Sequence, residues 1–255
     1  MDSLPYPFIK AVKSFVPNST VFPESWKTHD KPNSVKPLAL YLHITNDGCE
    51  FLLKSRKKTL KPSSEVWKSH EVQNITVTSR ARDKHQDLEL KVDLKMWKVL
   101  KKLISRNDGL IDVQYVSLEH CPRVMNLLNA IPRFDTLSWE STLSEEVVRN
   151  AIVQARVRSL FLYKQVITKE FFEQICGFTR NCNFLKLQFA LDKGSKVTCK
   201  EASQWALRRS RELFREGKEI LVLANGHWTY FLKTGLMFRK EPTWNKEICL
   251  FIHES

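Results

Sequence analysis

Glycine is scarce in this chain, with seven in 255 residues. A phosphate cradle needs glycines at fixed places, because backbone without Cβ can wrap closely around an anion. Arg215-Glu216-Gly217-Lys218 holds the one Gly-Lys pair. It lacks the leading glycine and the following Ser or Thr of a phosphate loop, and it precedes a strand-like run rather than a helix. No Gly-x-Ser-x-Gly elbow occurs. The seven histidines are scattered, and no two stand at His-x-x-x-His spacing. His120-Cys121 is one adjacent pair, but adjacency does not supply nucleophile–base geometry. The expectation is a protein without enzymatic activity and without a cofactor.

Long apolar runs are also missing. Ile220 to Ala224 is among the longest, far short of the roughly 20 residues that cross a bilayer as a helix. Met1-Asp2-Ser3 opens with neither a basic stretch nor a long apolar one, so no secretory leader is expected. That places the chain inside the cell, in cytoplasm or nucleus. Its six cysteines are then expected to stay reduced. Cys176 and Cys182 are the nearest pair, too far apart for the short knuckle of a zinc site. They read as small buried hydrophobes with no metal. Acidic residues are few, 28 against 41 Lys plus Arg, giving a formal charge of +13.

Hydrophobic residues make up 42% of the chain and aromatic ones 11%, enough for a core without staples. In residues 1–17, Pro5 and Pro7 suit a helix entrance. Ile9, Val12 and Phe15 then form one apolar stripe, and Pro17 stops it. Residues 18–37 are polar and carry Pro23, Pro32 and Pro37, which reads as irregular linker. Residues 38–110 read as a β-rich region. Leu38–Ile44 and Cys49–Leu53 flank the turn residues Asn46-Asp47-Gly48, a hairpin pattern. Asn74–Thr78 and Leu88–Val92 alternate with the period of a half-buried strand. Leu94–Ile104 changes to helical period. Leu94, Trp97, Leu100 and Ile104 lie on one side while Lys95, Lys98 and Lys102 point elsewhere, so the helix is basic and amphipathic.

Residues 111–255 carry repetition. Five apolar-x-apolar triplets begin at Val116, Leu137, Leu160, Leu185 and Leu221, in steps of 21, 23, 25 and 36. A helix-like stretch follows each of the first four. Thr142–Glu145 and Thr198–Glu201 have the capping-box spacing, and Thr168 can cap a third helix. Alternating strand and helix at 21 to 25 residues is the spacing of leucine-rich repeats. Such units stack into a parallel sheet backed by helices, because no unit closes its own core. A plain α/β sheet with helices on one side satisfies the same pattern. Asn225-Gly226 and the runs His227–Leu232 and Ile248–Ile252 predict antiparallel strands closing the open end. The fold class expected is therefore α/β: a degenerate leucine-rich-repeat-like array with a parallel sheet, preceded by a smaller β-rich region and closed by a C-terminal hairpin.

Two regions together resemble the large nematode family of F-box proteins with an F-box-associated region. Leu4-Pro5-Tyr6-Pro7-Phe8-Ile9-Lys10-Ala11-Val12-Lys13-Ser14-Phe15 looks like the opening of an F-box, Leu-Pro followed by aliphatic positions on a helix. The later strand–helix units, ending in Asn-Gly and a last apolar run, are similar to the associated region. The F-box pattern is partial, since residues 18–37 are proline-rich and polar where further helices would follow. The resemblance implies an adaptor that binds a Skp-type subunit of a cullin ubiquitin ligase and holds a protein substrate on the associated region. By that carry-over Leu4, Pro5, Ile9, Val12 and Phe15 contribute to the Skp-type interface. The same helix packing on its own domain is the alternative.

Charge supplies a second candidate site. Residues 54–108 hold 15 Lys or Arg against 7 Asp or Glu. Lys54, Arg56, Lys57, Lys58 and Lys61 are the densest cluster, a candidate anion-binding patch through counterion release. Arg208, Arg209, Arg211 and Arg215 form another group on one predicted helix. The reading is thus a protein–protein interaction module, an F-box-type adaptor or a degenerate relative. The alternative is a basic nucleic-acid-binding protein.

Overall fold

A computed structural model describes residues 36–240 apart from 47, 57, 80–89, 108, 118, 142–144, 193, 214–217, 225–226 and 233–234, with backbone alone at 164, 199, 211, 221 and 223–240. The chain runs β1 (Lys36–Thr45), β2 (Gly48–Ser55), β3 (Lys58–Leu60), α1 (Ser64–Ser69), β4 (His70–Thr78), β5 (Leu90–Lys91) and α2 (Leu94–Ser105). It continues β6 (Ile111–Val116), α3 (Pro122–Asn129), β7 (Phe134–Glu140), α4 (Glu146–Val153), β8 (Val157–Gln165), α5 (Lys169–Phe178), β9 (Lys186–Leu191) and α6 (Cys199–Leu213). It ends β10 (Glu219–Ala224), β11 (His227–Leu232) and β12 (Gly235–Lys240).

All strands join one mixed sheet that is mostly parallel, in the order β12-β11-β10-β9-β8-β7-β6-β4-β1-β2-β3. Seven strands, β1, β4, β6, β7, β8, β9 and β10, pair parallel to their neighbours. β2, β3 and β5 add antiparallel pairing at one end, and β11 and β12 at the other. β3 and β5 share the outer edge of β2, covering Leu53–Ser55 and Glu50–Phe51 respectively. The parallel strands follow sequence order without reversal. Right-handed crossovers then put the connecting helices on one face, and no strand-order switch opens a ligand crevice in the sheet. The sheet crosses residue 110 without a break, because β4 pairs with β6.

Buried positions explain the layering. β4 buries Val72, Ile75 and Val77; β7 buries Phe134, Leu137 and Trp139; β8 buries Val157, Leu160 and Leu162. Phe184, Leu187 and Phe189 repeat the spacing at β9. The wider first gap is a bulge: β4 shifts register opposite Leu38 and Ala39 of β1, and β7 shifts opposite Ile111 and Val113 of β6. The inward residues pack with the buried sides of the helices in one cluster. Val124, Leu127 and Leu128 of α3, Val147, Val148 and Ala151 of α4, and Phe171, Ile175 and Phe178 of α5 fill it.

The inward residues correct three of the five expected triplets. The buried pair in β6 is Val113 with Tyr115, while Val116 is half-buried on the other side. In β9 it is Leu187 with Phe189, and Leu185 is exposed. In β10 it is Ile220 with Val222. The triplets at Leu137 and Leu160 stand as read. Leu94 is corrected as well: it is exposed at 64%, and Trp97, Leu100 and Ile104 carry the buried side of α2.

Local chemistry fixes the ends of several elements. Thr168 Oγ1 accepts from Phe171 N–H at 3.1 Å, capping α5 as expected. The Thr198–Glu201 box closes both ways, with Glu201 N–H donating to Thr198 Oγ1 at 3.2 Å and Thr198 N–H to Glu201 Oε2 at 2.7 Å. These bonds hold the Glu201 carboxyl below the usual carboxylate range. The Thr142–Glu145 box falls on residues 142–144, which lie outside the described ones; α4 starts after Glu145, which makes no side-chain cap. Asp93 caps α2 by accepting from Met96 N–H at 2.6 Å. At the β1–β2 turn Gly48 has φ +141°, a conformation that favours glycine. The Asn225-Gly226 turn and the Ile248–Ile252 run lie outside the described residues.

Candidate functional site

The alternate residues of the parallel strands face away from the helices. The register aligns them in a straight row across the sheet. Tyr41 pairs with Thr76, Thr76 with Gln114, Gln114 with Ser138, Ser138 with Phe161, and Phe161 with Gln188. With strands about 4.8 Å apart, these six side chains form a line roughly 24 Å long. No described helix packs on it. Most of these residues are half-buried because a broad sheet shields side chains by their neighbours, and Gln114 is exposed.

The composition of the row distinguishes it from a sheet face packed under helices. A sheet face covered by helices is apolar, whereas this one alternates hydroxyls and amides with the rings of Tyr41 and Phe161. A shallow depression of about 360 Å³ lies on it, lined by Asn74, Thr76, Asp112, Gln114, Thr136, Ser138 and Phe161 among others. Asp112 is the one acidic side chain lining that depression. Loss of water raises its carboxyl above the usual range, and hydrogen bonds from Thr136 oppose the shift. Beside the row Gln188 Nε2 donates to Tyr163 Oη at 2.7 Å.

Two charge pairs close beside the row. Lys186 meets Glu219 at 2.9 Å and stands 5.9 Å from the Phe161 ring centre. Arg158 meets Asp135 at 3.2 Å. The surface can accept a partner through hydrogen bonds and aromatic contact, with Asp112 as the acidic group in its depression.

The expected basic patch divides. Lys54, half-buried on β2, stands 5.8 Å from the ring centre of Tyr41, at the end of the polar row. Arg56, Lys58 and Lys61 surround the β2–β3 turn, and Lys57 lies outside the described residues. Arg56 has φ +55°, a left-handed conformation unusual for a bulky residue. The structure does not bring this turn together with α2, which holds Lys95, Lys98, Lys101 and Lys102 in the helix layer. In α6, Arg209 is tied to Thr179 and Glu212, while Arg208 is exposed. Leu4, Pro5, Ile9, Val12 and Phe15 lie outside the described residues.

Cysteines are less uniform than expected. Cys49 is buried, Cys121 and Cys176 are half-buried, and Cys182 is exposed; all four are free thiols. Burial pushes the Cys49 thiol up to about 12 and Cys176 to about 11. Among the described residues no three His, Cys, Asp or Glu side chains converge as a metal site. Among them, too, no helix is long and apolar enough to cross a membrane.

Sequence reading missed the polar row. Its signal was present: Gln114, Ser138, Phe161 and Gln188 are the middle residues of the buried apolar-x-apolar triplets. Choosing them needed the strand register, which three displaced triplets obscured. Compared with protein-family models, with curated proteins and with solved structures, the chain matches none.

Proposed function

We propose that this chain is a protein–protein interaction module that holds a partner on the open face of its parallel sheet. The observation that carries the reading is the row from Tyr41 to Gln188, polar and aromatic, in register across six strands with no described helix on it. Rigid neighbouring strands hold such side chains in place, so a partner meets a preorganised surface. Leucine-rich-repeat character fits: strands in sequence order, helices on one side, and the buried apolar-x-x-apolar-x-apolar spacing of β4, β7 and β8. In this reading β11 and β12 close the end of the array, which would otherwise leave β10 as an open edge.

The wider role proposed is an F-box-type substrate adaptor, or a relative that kept the substrate-holding part. Its support is the Leu4–Phe15 pattern in the sequence. Two experiments test the two halves. Co-purification of the full chain with a Skp-type subunit, compared with Leu4→Ala/Ile9→Ala, tests recruitment; failure of the unaltered chain to retain the subunit removes the ligase role. A photo-crosslinking residue at Gln114, compared with one at exposed Glu173 on α5, tests the surface in cells. Adducts at position 114 and none at 173 are expected, and equal labelling at both removes the sheet-face reading.

Nucleic-acid binding has less support. Trp97 is buried in the core and Trp67 packs partly against it, so neither offers a stacking platform beside the lysines.

A further inference from the structure

Among the described helices α2 carries the largest excess of charge of one sign. On α4, Arg149 pairs with Glu145 at 2.8 Å and reaches Glu170 of α5. On α6, Arg209 pairs with Glu212. α2 carries Lys95, Lys98, Lys101 and Lys102 and no acidic residue within its span, and Arg106 caps its end. All five are exposed. Among the described residues none of them has an ion-pair or hydrogen-bond partner through its side chain.

The spacing is ordered. Lys95, Lys98, Lys102 and Arg106 stand at i, i+3, i+7 and i+11, which turns them to one side of a helix of 3.6 residues per turn. At 1.5 Å per residue their Cα atoms rise in steps of about 4.5 to 6 Å, along a line roughly 16 Å long. Like charges at these separations repel, and each such pair weakens a helix. α2 is held nonetheless, by the Asp93 cap and by Trp97, Leu100 and Ile104 buried beneath it. The lysine stripe is therefore held fixed on a rigid support, with its repulsion left for a partner to relieve.

We infer that the stripe Lys95–Lys98–Lys102–Arg106 docks an acidic helix of a partner protein. An α-helix with carboxylates at i, i+3, i+7 and i+11 has the same rise and meets every cation in step. An extended acidic chain does not, since its same-side residues recur about every 6.8 Å and fall out of register within a few contacts. Duplex nucleic acid is disfavoured by shape. α2 lies against the core with α3 beside it, so it cannot enter a groove, and it presents no exposed aromatic side chain. Anionic membrane is disfavoured because the apolar side of the helix already faces the protein core. This surface is separate from the open sheet face and stands without it.

The probe is a fluorescent synthetic peptide, helical and Ala/Gln-based, with Glu at i, i+3, i+7 and i+11. It is titrated into the full chain by anisotropy at low salt. Binding is expected, weakened about tenfold or more by Lys95→Glu/Lys98→Glu/Lys102→Glu, and weakened similarly as salt shortens the Debye length from about 10 to about 3 Å. Circular dichroism of the variant reports whether it is folded. If reversal disturbs it, Lys95→Gln/Lys98→Gln/Lys102→Gln gives the same readout with a smaller loss. Four outcomes overturn the inference: no salt-sensitive binding of the peptide; equal binding by folded variants; equal binding of a peptide of the same composition with its Glu residues scattered around the helix; or tighter binding of a DNA duplex or phosphatidylserine vesicles than of the peptide.

Discussion

Tyr115 and Trp139 stack face to face in the core, on adjacent parallel strands in register, with ring centres 4.0 Å apart and planes 7° from parallel. Both are fully buried. Tyr115 Oη donates to the Glu119 carbonyl at 3.0 Å, while Trp139 Nε1 has no partner. The pair joins β6 to β7 under the polar row. Trp139→Ala is expected to cost about 3–5 kcal/mol in urea unfolding. Trp139→Phe should cost clearly less, because it keeps an aromatic ring and removes a buried donor that is unpaired. A Phe variant as damaging as the Ala variant would show that the indole N–H is satisfied.

Asn107 ties α2 to the sheet. Its Nδ2 donates to the Val72 carbonyl at the bulge of β4, and its Oδ1 accepts from Gly109 N–H at 2.8 Å. Its side chain is buried. Asn107→Ala leaves the Val72 carbonyl and the Gly109 amide to find new partners, and should cost about 1–3 kcal/mol. Asn107→Asp should cost at least as much, since a carboxylate cannot donate to a carbonyl. A loss below about 0.5 kcal/mol for both, by thermal or urea unfolding, would mean water replaces the side chain readily.

How far the fold was legible depends on the spacing of apolar residues. α2 and the helices containing Phe171 and Ala202 show through their 3.6-residue period, and the latter two also through the local caps at Thr168 and Thr198. The strand triplets were harder. Ile220-Leu221-Val222-Leu223 is apolar throughout, and only pairing with β9 decides that Ile220 and Val222 point inward. A slip of one residue exchanges the two faces, so local pattern leaves the binding side open. The bulges add to the difficulty by inserting a residue before the alternating part. β3 and α1 were missed because three and six residues are too few to show a period. That β1 pairs parallel with β4 is a long-range fact, with no signal in either strand.

The end of α4 offers a stabilising substitution. Ala155 has φ +54°, and its N–H donates to Ile152 O at 3.0 Å while Arg156 N–H donates to Ala151 O at 2.9 Å. That is a helix terminus turned in the left-handed region, where glycine is usual. An L-residue there costs about 1–2 kcal/mol, and glycine gives back part of that gain through its freer unfolded chain. Ala155→Gly should therefore stabilise by about 0.5–1 kcal/mol, visible as a raised Tm. A lowered Tm would mean that the Ala155 methyl group makes packing contacts worth more than the strain.

Thiol chemistry should separate the cysteines. Alkylation requires thiolate. Cys182 is exposed, whereas the Cys49 thiol is pushed up to about 12 by burial. Brief iodoacetamide treatment at pH 8, followed by peptide mass mapping, should label Cys182 well before Cys49, which stays unlabelled until denaturant is added. Early labelling at Cys49 would show that the β1–β2 end of the core opens on the timescale of the reaction.

Asp112 links stability to the proposed binding face. Its folded pKa is raised above the ordinary value, chiefly by loss of water, so the folded state binds its proton more readily than the unfolded chain does. The sign follows: this group favours folding at low pH and ceases to do so as pH rises through its folded pKa. Asp112→Asn removes the ionisation and keeps the shape. The variant should be as stable as the parent at low pH and more stable at neutral pH, with the difference growing across the carboxylate range. Thermal unfolding of both proteins at a series of pH values measures it. A variant less stable at neutral pH would show that the hydrogen bonds from Thr136 outweigh desolvation. The Gln114 crosslinking test can then be repeated in the Asp112→Asn background. On the proposed reading a folded, more stable variant should form fewer adducts, because the one acidic group in the depression has been neutralised.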